Sequence, residues 1–276
     1  MDQMTAPTSD TRPAVTVITA AYNAESTIQE SIESIKAQTF TNWELIVVDD
    51  ASTDSTRTHV TEAAKLDSRI RPIFQPTNCG SGAARNLALK HANGRYMAVM
   101  DADDISTKNR LELQVSILDS RTELAGVGAQ LFEFGDWGGP EVSNWSVSED
   151  EIKKRQESFK MPIPHPSTML RTEIALAAGG YDEACRRSQD YALFLRLQDH
   201  RFACLDEPLV YYRTDRPITL GYAIKSGRYA ELAKHRATTN DTQNRIRTIP
   251  KSLPMSLPTD LRSAAQWLKR ILAERK

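Results

Sequence analysis

Tyr96-Met97-Ala98-Val99-Met100-Asp101-Ala102-Asp103-Asp104 is the stretch on which the fold of this chain turns. The run from Tyr96 to Met100 has the length and apolarity of a buried strand, and three carboxylates follow it at once. Burying several carboxylates together is costly unless a cation shares the site. In a doubly wound α/β sheet, ligands bind just beyond the carboxyl ends of the strands. A divalent metal holding a phosphorylated ligand explains why acids gather there. Helix capping alone does not, because one cap cannot use three carboxylates.

Upstream of that strand the chain alternates strand and helix. Val15 to Thr19 reads as a first strand, with Ala20-Ala21-Tyr22-Asn23-Ala24 as the loop after it. Ser26 and Gln29 have capping-box spacing, and Ile28, Ile32 and Ile35 give the helix an apolar face. Glu44 to Val48 is a second strand ending at Asp49-Asp50. Ala51-Ser52-Thr53-Asp54 supplies helix-start chemistry, and that helix runs to about Leu66. A third strand, Ile70 to Gln75, leads through a turn (76–82) to a helix from Ala83 to His91, stopped near Asn93-Gly94. The helix after the acid cluster packs through Leu111, Val115 and Leu118. This rhythm predicts an α/β fold, with a mostly parallel central sheet and helices on both faces.

Downstream the pattern is weaker. Ala125 to Phe134 reads as a strand and Gly135 to Trp145 as a loop. Ser148 with Glu151 marks a capped helix. Pro162-Ile163-Pro164-His165-Pro166 is extended, since each proline disfavours helix in the residue before it. Ser167 to Arg171 is a strand, Ser188 to His200 a helix, and Phe202 to Leu205 and Leu209 to Arg213 are strand-like. From Pro217 the chain is helical and basic, with a break at Pro250, Pro254 and Pro258. The last helix, Thr259 to about Glu274, carries Leu261, Ala264, Ala265, Leu268, Ile271 and Leu272 on one face, flanked by Trp267, Lys269 and Arg270. Such a face packs against the same chain or a second copy, or lies on an anionic membrane.

Composition excludes several classes. A formal net charge of -1 argues against a broad nucleic-acid-binding surface, so nucleic acid is not an expected partner. No apolar stretch approaches the roughly 20 residues that span a bilayer. Met1 to Arg12 is polar, lacks a signal-peptide core, and is read as a disordered lead-in. Cys79, Cys185 and Cys204 show neither zinc spacing nor a disulfide framework; three reduced thiols suit a cytoplasmic protein.

Three successive strands end in candidate ligand groups: Tyr22-Asn23, Asp49-Asp50 and Asp101 with Asp103. In a parallel sheet these ends share one edge. Stacking on Tyr22 and hydrogen bonds to Asp50 suit a nucleobase, Asp101 can accept from ribose hydroxyls, and Asp103 can coordinate a metal bound to a diphosphate. Asp49 and Asp54 serve equally well as helix caps. Three rivals fit poorly. Gly80-Ser81-Gly82-Ala83-Ala84-Arg85 breaks the dinucleotide fingerprint and does not follow the first strand. No Gly-x-x-x-x-Gly-Lys segment exists for a phosphate loop. A phosphatase with an Asp-x-Asp nucleophile carries it on the first strand, which here ends in Ala-Ala-Tyr-Asn.

Val15 to Asn23, Trp43 to Asp54, Asn78 to Asn86 and Met100 to Asp104, in that order, resemble the motifs of the family 2 glycosyltransferases, which use nucleotide-sugar donors and adopt the GT-A fold. The resemblance covers about residues 14 to 215. It implies that Ala20, Tyr22, Asp49, Asp50, Arg85, Asp101 and Ala102 bind the donor and that Asp103 holds Mn2+ or Mg2+ on its diphosphate. It also implies that residues 13–120 form the nucleotide-sugar-binding half, 121–215 the acceptor-binding half, and 216–276 a helical extension. Inversion at the anomeric carbon needs a base. Asp190, in Ser188-Gln189-Asp190-Tyr191, resembles the family's second acid, with Gln189 in place of the usual Glu; an acid at a helix start is also stabilised by the helix dipole. His165, in His165-Pro166-Ser167-Thr168-Met169, resembles a segment near acceptor and diphosphate, although a structural histidine fits as well. Gly179-Gly180, ahead of the helix that carries Asp190, serves a turn. The processive members' Gln-x-x-Arg-Trp motif is absent, which implies one sugar per binding event. The expected partners are a nucleotide-sugar donor, UDP by default with dTDP and GDP open, and a saccharide or lipid-linked saccharide acceptor of bacterial surface polysaccharide synthesis. Peripheral contact with the inner membrane face, or a homodimer through the last helix, stays open. The alternative function is a non-catalytic nucleotide-sugar-binding module.

Overall fold

Alternation along the first two strands assigns the two faces of the sheet. In β1 (Val15–Ala21), Val15 and Val17 belong to one core and Ile18 to the other. In β2 (Trp43–Asp49), Leu45 and Val47 side with the first, Ile46 and Val48 with the second. Strands covered on both faces read as continuous apolar runs rather than alternating ones, and each fully buried aliphatic here contributes about 1.5–3 kcal/mol. The computed structural model describes residues 12–238 and 257–273. All but Arg12 of the expected lead-in, and the breaks at Pro250 and Pro254, lie outside these residues.

The first half runs β1, α1 (Ile28–Lys36), β2, α2 (Thr56–Leu66), β3 (Ile70–Phe74), α3 (Ser81–Lys90), β4 (Tyr96–Val99). The second runs β5 (Ile105–Ser106), α4 (Arg110–Ser120), β6 (Leu124–Gly135), β7 (Gly138–Val142), α5 (Glu149–Glu157), a 3₁₀ turn (His165–Ser167), β8 (Met169–Arg171), α6 (Thr172–Ala177), α7 (Gln189–Arg196), β9 (Arg201–Arg213), α8 (Leu220–Thr238) and α9 (Leu257–Ala273). One sheet of nine strands has the order β3-β2-β1-β4-β8-β6-β9-β5, with β7 on β6. Pairing is parallel from β3 to β4. The sheet then becomes mixed, because β8 is antiparallel to both β4 and β6 while β9 runs parallel to β6. β6 and β9 therefore run in the same sense as β1, and their carboxyl ends reach the same edge. Gly94, just ahead of β4, is held there by crowding: a Cβ would meet the Thr16 amide nitrogen at 2.4 Å.

Local expectations fail where the right residue is present but the chain closes differently. The Ser26–Gln29 box does not form: α1 begins after Thr27 without a side-chain cap. The amides of both Thr27 and Ile28 bond to the Ala24 carbonyl, so a turn closes first. Ser148 does precede α5, again without a cap bond, and three acids in that first turn suit the dipole instead. Gly135 to Trp145 is not all loop, since β7 returns along β6 through Gly138 and Gly139, both at positive φ. Of Pro162 to Pro166, Pro162 and Ile163 form a bend and Pro164 is extended before the 3₁₀ turn begins at His165. The two strand-like pieces near the end are one strand, β9, with its register shifted about Pro208.

Beyond residue 215 the described elements are the helices α8 and α9. α8 packs its Leu232 and Ala233 against Cys185, Ala192 and Leu195 beside α7, and Arg236 Nε donates to Asp182 Oδ2 at 2.7 Å. α9 lies on α8 through Arg228–Asp260 at 2.6–2.8 Å and through Trp267 Nε1 donating to the Ile218 carbonyl at 2.7 Å. Among the described residues, no helix is long and apolar enough to cross a membrane.

Candidate active site

The register of the parallel strands brings three loops to one rim. Ala21 pairs with Asp49, the Asp50 amide donates to the Ala21 carbonyl at 2.8 Å, and the Met100 amide to the Ile18 carbonyl at 3.1 Å. Tyr22 leaves β1 about half exposed, its ring free to stack. Asn23 follows with φ 51°, a left-handed conformation that Asn tolerates. It is tied to the next loop, since its amide donates to Ser52 Oγ (3.0 Å) and its Oδ1 accepts from the Thr53 amide (2.9 Å). Asp54 accepts from the Thr56 and Glu25 amides, one residue ahead of the α2 N-cap Ser55, which makes no side-chain cap bond.

Asp49 and Asp50 are both buried. Asp49 Oδ1 accepts from the Ser52 amide at 3.3 Å. Asp50 does something the sequence did not indicate: its two oxygens accept the Cys79 and Gly80 amides at 2.8 and 2.7 Å, fixing the Gly-rich loop ahead of α3. Each oxygen keeps a second lone pair. Ala20 packs against one core and Ala102 is buried in the other.

The acid turn after β4 is pinned from two sides. Ser31 Oγ of α1 donates to the Asp101 carbonyl at 3.0 Å. From β9, the Arg213 amide donates to Asp104 Oδ1 at 2.9 Å and Arg213 Nε to the Asp103 carbonyl at 3.2 Å. The three carboxylates differ sharply. Burial pushes Asp101 up, but Arg85 outweighs it and the net pKa lies below the ordinary value; Arg85 Nη2 donates to Asp101 Oδ1 at 2.5 Å. Asp103 stands at the exposed rim, yet loss of water around its carboxylate and the nearby Asp101 charge raise its pKa. Asp104 is driven well above the ordinary range by burial and by both neighbours, and its Oδ2 is enclosed without a partner.

Behind the turn, Arg110 is fully buried, donating to the Val99 carbonyl (2.7 Å), Gln114 and Ser106. Burial lowers it to about 10, against the pull of Asp104 and Asp101.

The second wall comes from the segment before α7. Gly179 and Gly180 turn at φ 80° and 66°, as a glycine turn requires, and Asn86 of α3 clasps the Tyr181 backbone through both its amide and carbonyl groups. His165 is buried with Nε2 3.0 Å from the Tyr181 hydroxyl. Burial, then Arg85, lowers the His165 pKa, while Asp190 and Asp101 oppose them. Burial raises Tyr181, with Asp101 and Asp190 adding to it. Asp190 thus acts on Arg85, His165 and Tyr181, the same groups that Asp101 acts on. It sits in the first turn of α7 behind Ser188, a non-glycine residue at φ 58°. With its amide turned to satisfy its neighbours, Gln189 donates to the Cys185 and Arg186 carbonyls and accepts from Ser81 Oγ and Arg85 Nη1 (3.2 Å). Gln189 therefore joins the two walls through the same arginine.

The donor set suits a hard cation: carboxylate oxygens only, with the exposed Asp103 held at a raised pKa that a positive charge would lower. Among the described residues no three His, Cys, Asp or Glu side chains form a cage. That fits Mg2+-type binding, in which one or two carboxylates share the ion with substrate phosphates and water.

Several residues of the site went unread in the sequence. Tyr212, next to Arg213 on β9, has its pKa raised by burial and then by Asp101 and Asp104, with Tyr222 and Asp103 adding to it. Tyr222 of α8 is half exposed, with the Arg187 guanidinium 4.4 Å from its ring centre. Only strand pairing could have exposed Tyr212; Ile105 pairs with Tyr211 and Ser106 with Val210, which draws the end of β9 to the acid turn. A separate hollow of about 690 Å³, near Arg12, Asn42, Gly94 and Arg171, lies at the opposite ends of the strands and is not part of this site.

Residues 16–177 match the sequence model described as glycosyl transferase family 2. The provisionally named glycosyltransferase EpsE of Bacillus subtilis (strain 168) is 38% identical over 195 residues, covering 69% of this chain and 68% of EpsE. The Escherichia coli UDP-Glc:alpha-D-GlcNAc-diphosphoundecaprenol beta-1,3-glucosyltransferase WfgD is 48% identical over 104 residues, which is 38% of this chain and only 40% of WfgD. Among solved structures, the mannosyltransferase PcManGT from Pyrobaculum calidifontis, in complex with GDP-Man and Mn2+, has a TM-score of 0.63 at 19% identity. That likeness covers 95% of this chain and 76% of PcManGT, and it bears on the fold alone.

Proposed function

Because the chain belongs to glycosyl transferase family 2, we propose that it is a non-processive, inverting, metal-dependent transferase. It moves a hexosyl or N-acetylhexosaminyl group from a nucleotide-diphosphate donor, UDP by default, to a hydroxyl of a saccharide or lipid-linked saccharide. Its setting is the assembly of bacterial surface polysaccharide at the cytoplasmic side of a membrane. The observation that carries this reading is the Arg85 bridge, which donates from Nη2 to Asp101 and from Nη1 to Gln189, the neighbour of Asp190. That bridge supports a reading in which the acid turn receives the donor and Asp190 serves the acceptor.

In this reading residues 13–120 receive the donor. Tyr22 stacks on the base, Asp49 and Asp50 order the loops around it, and Asp101 accepts from the ribose hydroxyls. Arg85 holds Asp101 ionised for that task. Asp103, with Asp101 behind it, would hold Mn2+ or Mg2+; when bound, the ion offsets the charge growing on the departing diphosphate. Residues 121–215 serve the acceptor. Asp190 takes the proton of the acceptor hydroxyl as its oxygen bonds to the anomeric carbon, while the bond from that carbon to the diphosphate oxygen breaks on the opposite face. His165, braced on Tyr181, lines the diphosphate or acceptor side as a neutral hydrogen-bonding group.

A thermal-shift screen of UDP-, GDP- and dTDP-sugars with and without Mn2+, followed by product analysis with saccharide acceptors, tests the reading. Metal-dependent stabilisation together with transfer or slow donor hydrolysis is the expected result. Donor binding with neither transfer nor hydrolysis across the panel would leave a sugar-nucleotide-binding module instead.

A further inference from the structure

α9 is turned with its apolar side outward. Its inner side carries Asp260, Ser263 and Trp267, which engage Arg228, Gly227 and the Ile218 carbonyl of α8 and its approach. Gly227 permits this fit: a Cβ there would come within 2.0 Å of Ser263 Oγ. Leu261, Leu268 and Leu272 are 62%, 51% and 54% exposed. With the exposed Ala265 they form a stripe of i, i+4, i+7 and i+11 spacing along one face. Arg262 and Lys269, both exposed, run beside it. Three leucines held out by a polar inner contact are the reverse of an ordinary surface helix.

Charge indicates what covers the stripe. Residues 216–276 hold 13 Lys and Arg against 4 Asp and Glu, a net of +9. Since the whole chain carries -1, residues 1–215 carry a net of -10. A second copy meeting this face through its own α9 would bring one basic segment against another. An anionic lipid surface meets both the charge and the leucines, and stable peripheral attachment needs two such signals together.

We infer that the outward face of α9, Leu261, Leu268 and Leu272 flanked by Arg262 and Lys269, docks on an anionic lipid bilayer. The purpose of this docking, access to a lipid-linked acceptor, rests on the transferase reading; the docking itself is measured without turnover. The full chain is sedimented with vesicles of phosphatidylcholine alone, and with vesicles also containing phosphatidylglycerol, at low and high salt. Binding to the anionic vesicles only, weakened by salt, is expected. Replacing all three leucines by serine should weaken it at least about a hundredfold, and Arg262→Glu with Lys269→Glu at least about tenfold. All five side chains are exposed, so thermal melting and donor-induced shifts should stay as in wild type. Lack of binding to anionic vesicles, equal binding to neutral ones, or full binding by the triple-serine variant overturns the inference. So does a dimer in sedimentation velocity that the triple-serine variant converts to monomer without any vesicle binding. Loss of donor shifts in wild type would instead count against the transferase reading and leave the docking untouched.

Discussion

Arg85 Nη2 lies 2.5 Å from Asp101 Oδ1, a link between α3 and the turn after β4 that decides which of the clustered acids stays ionised. Arg85 is nearly enclosed while Asp101 keeps about a fifth of its surface open. Arg85→Met should leave Asp101 charged and uncompensated, at a cost of about 3 kcal/mol, the lower end of the range for breaking a buried pair. Asp101→Asn combined with Arg85→Met should recover part of that loss, as urea unfolding of the three variants would register. An additive double variant would mean that the two residues act independently.

Much of this was legible beforehand, for identifiable reasons. Buried parallel strands are apolar throughout, so β1, β2 and β4 and the acids at their ends stood out. Asp50 was found, but its bonds to the Gly-rich loop were not, because a carboxylate that bonds the backbone of a distant loop looks the same in sequence as one that awaits a ligand. Strand β7 is exposed at every position and has no pattern to read. Tyr212 and Tyr222 reach the cleft only through the antiparallel pairing of β5 with β9 and the packing of α8 on α7, contacts far apart in sequence.

Asp101 and Asp104 should bend the stability–pH curve in opposite directions. Asp101 has a lowered pKa, so its contribution is present above the ordinary aspartate range, about pH 4, and is lost as pH falls through its lowered value. Asp104 has a raised pKa, so its contribution is complete below about pH 4 and is lost as pH rises through its raised value. Urea midpoints across pH for wild type, Asp101→Asn and Asp104→Asn measure both. Relative to wild type, Asp104→Asn should gain as pH rises through that upper window, whereas Asp101→Asn should lose most of its deficit on acidification. Parallel curves for all three proteins would contradict the assigned shifts.

The proposed division of labour between Asp103 and Asp190 makes a sharper demand. Asp103→Ala removes an exposed rim carboxylate and should leave melting nearly unchanged, yet abolish metal-dependent donor binding in calorimetry. Asp190→Asn should bind donor as wild type does and lose about a hundredfold to ten-thousandfold in turnover, the span of a general base. Equal donor affinity for wild type and Asp103→Ala in the presence of Mn2+ would remove the metal role from that residue.

Tyr212 offers the remaining test, because its hydroxyl has no hydrogen-bond partner among the described residues although the acid turn surrounds it. Burial and the neighbouring carboxylates keep it protonated across the working range, so it is a donor in a cleft otherwise rich in acceptors. A donor beside Asp101, Asp103 and Asp104 has two uses: a hydrogen bond to the sugar nucleotide, or shielding of the carboxylates from one another. Tyr212→Phe separates them. If the hydroxyl contacts the sugar nucleotide, affinity should fall by about fivefold to tenfold, the worth of one hydrogen bond, with the urea midpoint unchanged. If it shields the acids, the midpoint should drop at neutral pH and recover on acidification as Asp104 takes up its proton. The hydroxyl's lack of a partner among the described residues favours the first outcome, and a pH-dependent loss of stability with unaltered donor affinity would refute it.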